Sequence, residues 1–356
     1  VAVRKPKAEP KDMTPAELMK MVNKKFGEGT VALASDEKWK ISKIPTGILS
    51  IDYLTQGGFP RGRYVEMFGN SAVGKTAVAI SLIASAQKLD MNCLFMDSEK
   101  SFSPAFAEGL GVDLEALAFH SQKYGNMLMD IVETYLRSEM YDVIVIDSIS
   151  ALLPKSEMEK NMDAGSYGME QAKLMSAALR RLTAANKDTV IVFINQQRDA
   201  VGGSMFGPRS VTSGGRAMSF YAGMRLELVR TESIKRKSKV LDLSKGDDVE
   251  KDIVKGHRVV VKVNKNKVGG PAPQSEGTFV FDYDLEDIDP IEDLIWIGRD
   301  CGWIQKSGDY WALTGFEDER KNGRPRFKSW LKKNKVAKDT LTGWIESIDF
   351  EEEDND

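Results

Sequence analysis

The chain has 356 residues, 42% hydrophobic and 29% charged, with 50 basic and 53 acidic side chains for a net charge of −3. That length fits one large domain with appendages, and the composition is that of an ordinary globular protein. Cys93 and Cys301 lack C-x-x-C spacing and no apolar run reaches membrane-spanning length, so a zinc site, a disulfide framework and a membrane partner are not expected.

The first expected element is a helix over 14–26, with Thr14 as cap, Pro15 in the first turn, and Leu18, Met19, Val22 and Phe26 as its apolar face. Before it, residues 1–11 are basic and lack the apolar centre of a secretory signal, so a reducing, cytoplasmic setting is expected. Gly27-Glu28-Gly29 stops the helix, a short strand is read at Val31-Ala32-Leu33, and residues 1–34 form an arm ahead of the core. Tyr64 to Phe68 then reads as a buried strand and Ala77 to Lys88 as a helix. Between them Gly69-Asn70-Ser71-Ala72-Val73-Gly74-Lys75-Thr76 is a complete G-x-x-x-x-G-K-T loop, followed by Ala77. In a strand–loop–helix context this is a phosphate cradle. Backbone N–H groups converge on the phosphate oxygens, Lys75 adds a point charge, and Thr76 offers a hydroxyl to Mg²⁺. A nucleoside triphosphate is the expected ligand.

Further along, Cys93–Asp97, Val143–Asp147 and Val190–Ile194 read as buried strands, with helices starting at Pro104 and covering 125–138 and 169–185. Apolar strands alternating with helices predict an α/β fold with a mostly parallel sheet. Met224–Val229, Val259–Val263 and Thr278–Phe281 look like short antiparallel additions. Residues 198–213 show neither strand nor helix pattern, and 232–255 reads as a charged, solvated excursion. From Pro290 a small tryptophan-rich α+β domain is expected, with nine basic and no acidic residues between Arg320 and Lys338. The final eleven residues carry seven acids; they either compete for the cationic surface of the body or act as a solubilising end.

Asp147, at the end of its strand, is placed to support Mg²⁺ together with Thr76. Glu99, just past another strand end, has the chemistry of a general base, although a surface glutamate would look the same. Asn195-Gln196 can sense a γ-phosphate or pair with backbone. Lys265 and Lys267, two apart on an extended segment, are either edge-strand protection or a pair of cations for phosphate.

These pieces in this order resemble the bacterial RecA recombinase family, cellular or phage-encoded. The resemblance rests on Lys25-Phe26-Gly27-Glu28-Gly29, Thr46-Gly47, Gly57-Gly58, Gly62-Arg63 and Asp97-Ser98-Glu99. It continues through Ile146-Asp147-Ser148, Phe193-Ile194-Asn195-Gln196, Met205-Phe206-Gly207, Gly214-Gly215 and Lys265-Asn266-Lys267. It implies a RecA-type P-loop ATPase core over 35–288, a C-terminal DNA-binding domain over 289–345, and an acidic tail over 346–356. The implied function is DNA-dependent ATP hydrolysis by a helical filament on single-stranded DNA, with duplex DNA as exchange partner, in recombination, repair and the DNA-damage (SOS) response. Glu99 would be the base and Gln196 the γ-phosphate sensor, with Lys265 and Lys267 reaching into the neighbouring subunit's site. Phe106 would stack on adenine, with Ser103 nearby, and Phe220 would lie at a subunit contact. DNA would meet loops near 160–169, which ends at the DNA-contacting Met169, and 198–213, with Lys173, Ser176, Arg180, Arg198, Gly214, Gly215 and Arg216 on phosphates and Val201 as a wedge. Ser71, Ser103, Lys173 and Arg216 depart from the residues usual in the family. A ring-forming helicase with a related core and an ATP-regulated DNA-binding scaffold are the alternatives.

Overall fold

A computed structural model describes residues 13–36, 39–121, 124–152, 167–199, 210–242, 247–270, 272–284 and 287–350. Two compact units are present, Val1–Ser42 and Lys43–Asp356.

In the first unit, helix α1 spans Pro15–Phe26. Thr14 and Glu17 cap it reciprocally: the Glu17 N–H donates to the Thr14 hydroxyl and the Thr14 N–H to the Glu17 carboxylate. None of its residues is buried. The strand expected at Val31–Leu33 does not form. The Asn23 side-chain amide instead clamps the Val31 N–H and C=O, each at 2.8 Å, and takes up the two backbone groups a strand partner would need.

The second unit is built on a ten-stranded sheet. In chain order the elements are β1 (Lys43–Ile44), α2 (Leu49–Leu54), β2 (Phe59–Pro60), β3 (Tyr64–Gly69), α3 (Lys75–Gln87), β4 (Cys93–Asp97), α4 (Pro104–Gly109), β5 (Leu117–Ser121), α5 (Gly125–Ser138), β6 (Val143–Asp147), α6 (Tyr167–Ala185), β7 (Val190–Asp199), β8 (Ser210–Thr212), α7 (Ala217–Tyr221), β9 (Met224–Asp242), β10 (Asp247–Asn266), β11 (Glu276–Asp282) and β12 (Asp287–Ile288). The sheet order is β12-β11-β10-β9-β3-β7-β6-β4-β5, with β8 paired to β7. From β9 to β5 all neighbours are parallel; from β9 to β12 they are antiparallel.

Every residue of β3, β4 and β6 is buried, which is why these strands read as mostly apolar runs, interrupted in β3 by Glu66, rather than alternating ones. One face packs Val65, Met67, Phe95, Val143 and Val192 against α3, with Val78, Leu82 and Ile83. The other packs Ile144, Ile146, Ile191 and Phe193 against α5 and α6, with Leu128, Val132 and Leu179.

Three expectations change. The strand beginning at Met224 is parallel to β3 and only its later partner is antiparallel, so β9 closes the parallel set rather than opening the antiparallel one. Of the charged stretch 232–255, residues 232–242 and 247–255 form a two-stranded ribbon: β9 and β10 run far past β3 and β11, with Lys237 paired to Glu250 across them. Long polar side chains hid the period-2 pattern there. Within 198–213, β7 continues to Asp199 and β8 pairs back on it, Gln197 opposite Thr212; residues 200–209 lie outside the described set.

The C-terminal elements are α8 (Pro290–Asp300), β13 (Ile304–Ser307), β14 (Tyr310–Leu313), β15 (Lys321–Asn322), α9 (Arg324–Lys333) and α10 (Lys335–Glu346). They enclose their own core of Ile297, Ile304, Leu313, Phe327, Leu331 and Leu341. Buried Glu292 receives Arg258 from β10 and Arg324 and Lys328 from α9, so part of the basic run is spent on an internal ion-pair cluster.

Candidate nucleotide and DNA sites

The parallel strands end together. Gly69 on β3 is level with Gln196 on β7, and Asp97 on β4 with Asp147 on β6. Their carboxyl ends open on a cleft of about 340 Å³ lined by Ser71–Ala77, Glu99, Phe106, Asp147, Ile194, Gln196, Arg230, His257, Phe281 and Tyr283. This is the edge at which open α/β sheets place ligands.

Gly74 sits at φ 103°, ψ 12°, a left-handed conformation directly before α3, which lets the loop turn its N–H groups inward. Lys75 is buried and donates to the Gly69 and Asn70 carbonyls at 3.1 and 2.7 Å, which ties the loop to its own cation. Burial lowers its pKa, with Asp147 and Glu99 opposing that shift. The Thr76 hydroxyl donates to Asp147 at 2.6 Å. Burial pushes the Asp147 carboxyl up to about 6, the Thr76 bond opposes this, and the charges of Glu99 and Asp97 add to it. A buried carboxylate at the strand ends, bonded to the Thr76 hydroxyl, fits a divalent cation. Thr76 and Asp147 would hold Mg²⁺ together with phosphate oxygens, because this ion takes few protein ligands.

Glu99 accepts from the Gln196 amide at 3.0 Å and from the Ser148 hydroxyl. The loop carrying it is held by Asp97, whose carboxylate accepts the N–H groups of Glu99, Lys100, Ser101 and Phe102 at 2.7–3.3 Å. Next to Gln196, Asn195 is fully buried and donates to Glu66 at 2.8 Å and to the Ser213 carbonyl at 2.9 Å. Glu66, also buried, is paired with Arg225 at 2.5 Å.

Ser213 leads into the second region. Gly214 and Gly215 have φ of +81° and +73°, and a Cβ on Gly215 would sit 2.8 Å from that of Ala172 on α6. This turn therefore lies directly against α6. On α6, Met169, Lys173, Ser176 and Arg180 follow at intervals of four, three and four, which is one helix stripe. Met169, Lys173, Arg180 and Arg216 are exposed, and among the described residues Lys173 makes a 3.7 Å ion pair with Glu170 in its own helix. Exposed cations beside glycine-borne backbone N–H groups suit a phosphate backbone.

Comparison with known proteins identifies a family. The family described as RecA N-terminal domain matches residues 14–285. The chain is 38% identical over 342 residues to Protein RecA of Chloroflexus aurantiacus, covering 95% of this chain and 92% of that one. Against Protein RecA of Bacillus subtilis it is 38% identical over 322 residues, 89% and 86% of the two chains. The chain belongs to the RecA family. Protein RecA of Nocardia farcinica is a further relative, 36% identical over 340 residues, 94% of this chain and 92% of that one.

Of the residues expected from the RecA resemblance, Ser71–Ala77, Glu99, Phe106, Asp147 and Gln196 meet in the cleft. Gly69 and Asn70 support it from behind through Lys75. Ser103 is not among the lining residues: its hydroxyl is used as the cap of α4, accepting the Phe106 N–H at 3.3 Å. Lys265 donates to the Ser219 and Phe220 carbonyls at 2.6 and 3.1 Å, and Phe220 is 71% exposed. Burial, then Lys267, then Arg225 bring the Lys265 pKa down to about 8. Val201 and residues 160–166 lie outside the described residues, as does the Arg198 side chain.

Arg230, His257, Phe281 and Tyr283 were not anticipated. His257 and Phe281 are cross-strand partners of β10 and β11, and the Phe106 and Phe281 ring centres are 6.1 Å apart. The available signal was Phe281 and Tyr283, two aromatics on one strand face; nothing in sequence says that the face borders the phosphate loop.

Proposed function

We propose that this RecA-family chain is an ATP-dependent recombinase that assembles on single-stranded DNA and pairs it with homologous duplex in recombination and repair. One observation carries this reading: strand β7 serves both regions. Its end supplies Gln196 to the cleft, while Asn195 holds the carbonyl of Ser213 at the entrance to the Gly214–Arg216 turn. A change in Gln196 position is thus transmitted through one rigid strand to the DNA-facing turn.

In the cleft the chain's own groups divide the work. The loop N–H groups and Lys75 bind the phosphates, as expected at a helix start. Glu99, oriented by Gln196 and Ser148, stands ready to take the proton of an attacking water. When bound, Mg²⁺ would neutralise charge developing on the transferred phosphoryl group. Lys267 and Lys265 lie together beside exposed Phe220, and we assign this patch to the contact with the next protomer, whose γ-phosphate the two ammonium groups would reach. Helix α1, on which Leu18 and Phe26 are exposed, would supply a second polymerisation element. On the DNA side, cations on phosphates give grip without reading bases, which leaves base edges free to pair.

ATP turnover measured with and without single-stranded DNA tests the proposal. Stimulation by DNA, with filaments seen by negative stain, is the expected result. Turnover that ignores DNA overturns it.

A further inference from the structure

We propose that Ser150 and Gln171 are positioning residues for Glu99, joining that base to the DNA-facing helix by a route separate from Gln196. This rests on Glu99 acting as the base and on α6 meeting DNA.

Glu99 receives both of its hydrogen bonds on one oxygen. The Gln196 amide and the Ser148 hydroxyl donate to Oε1, and Oε2 accepts none among the described residues, which leaves it to take the proton of water. Those two donors therefore set where Oε2 points. Ser148 is fully buried and its backbone is fixed by Ser98: the Ser148 N–H donates to the Ser98 hydroxyl at 2.9 Å, and that hydroxyl donates to the Ser148 carbonyl at 2.8 Å. What remains to be set is the rotation of the Ser148 hydroxyl. A hydroxyl has one hydrogen to give and can also accept. Because the Ser148 hydrogen goes to the Glu99 carboxylate, its 2.6 Å contact with the Ser150 hydroxyl has Ser150 as the donor. The bonds form a relay, Ser150 to Ser148 to Glu99.

Ser150 sits in a single 3₁₀ turn, Ile149–Ala151, just past β6. The Gln171 amide of α6 donates to the Ile149 carbonyl at 2.8 Å and to the Leu152 carbonyl at 3.3 Å, so it grips this turn at both ends. Gln171 is two residues from both Met169 and Lys173, which puts it on the side of the helix nearly opposite the DNA-facing stripe. The glycine turn bears on the same place: a Cβ on Gly214 would sit 3.1 Å from the Ile149 side chain. A displacement of α6 by bound DNA is thus carried by Gln171 to the turn, by Ser150 to the Ser148 hydroxyl, and from there to the aim of Oε2.

The test is ATP turnover by the full chain with Mg²⁺ and saturating oligo(dT), as ATP is varied. Ser150→Ala should lower kcat by between about twofold and tenfold, the worth of one hydrogen bond, with KM for ATP unchanged. Ser150→Thr, which keeps a hydroxyl, should restore kcat. Gln171→Met should lower kcat in the same range, and the double variant with Ser150→Ala should be no slower than the slower single one, because both changes break one path. An undiminished kcat in either variant, a loss confined to KM, no recovery with threonine, or losses that multiply in the double variant would each overturn the proposal. If DNA does not stimulate the unaltered chain, the recombinase reading fails and the proposal with it; if it does and the variants match the unaltered chain, the proposal alone fails. Should Gln171→Met not fold, Ser150→Ala and its threonine counterpart decide the matter.

Discussion

The cleft at the strand ends and the cationic stripe on α6 hold their polar groups in opposite ways. In the cleft each group is restrained by others: Lys75 by two carbonyls, Glu99 by Gln196 and Ser148, and Asp97 by four N–H groups. On the stripe, Arg180 and Arg216 are exposed, and Lys173 has one long surface ion pair, worth little in water. Chemistry at a single phosphorus atom requires fixed geometry before the substrate arrives. Holding a polymer of phosphates requires charge at the right spacing, and side chains free to follow it.

That contrast predicts very different sensitivities. Lys75→Ala should have the largest effect, loss of ATP turnover by at least about a hundredfold, because the phosphates lose their fixed charge. Glu99→Gln should cut turnover by about 10²–10⁴-fold while nucleotide affinity, read by equilibrium titration, changes little. Retained turnover in either variant would mean that the cleft is not preorganised for hydrolysis. On the stripe the effects should be graded. Arg180→Ala should weaken single-stranded DNA binding and reduce the slope of log affinity against log salt by about 0.7, leaving DNA-free ATP turnover intact. A collapse of DNA binding from that one change would show that the stripe, too, is a rigid constellation.

The smallest expected effect concerns pH. The Lys265 pKa is depressed to about 8, so its charge is present below that value and lost as pH rises through it. DNA-stimulated turnover should therefore fall on the alkaline side of about 8, and Lys265→Arg should flatten that fall, because arginine stays charged. A decline unaltered by the substitution would remove Lys265 from the account.

Much of this was legible in the chain for one reason: buried parallel strands announce themselves as apolar runs, and polar residues that terminate such runs sit at the ligand edge. Asp147 and Gln196 were read in that way, and Gly69 from the glycine-rich loop. The ribbon of β9 and β10 was not, because charged side chains on both strands masked its alternation. Its contribution to the cleft, Arg230 and His257, was hidden with it. Val31–Leu33 misled in the opposite direction, since apolar content suggested a strand while a distant side chain, Asn23, had already claimed its backbone. Ser103, expected near the base, spends its hydroxyl on the cap of α4 and is not among the residues lining the cleft.

Glu66 shows what the interior of the sheet imposes on signalling. A carboxylate with no exposure shares its two oxygens between Asn195 and Arg225, and Arg225 also lies over the Phe68 ring at 4.8 Å. Three strands, β3, β7 and β9, are thereby cross-braced by side chains as well as by their backbones. Breaking any one brace would strand a charge away from water. The end of β7 is therefore not free to shuffle alone: it moves with its neighbours as a plate, or it stays. Such a coupling favours two discrete settings over a graded response, which is the mechanical requirement for a nucleotide-driven clutch.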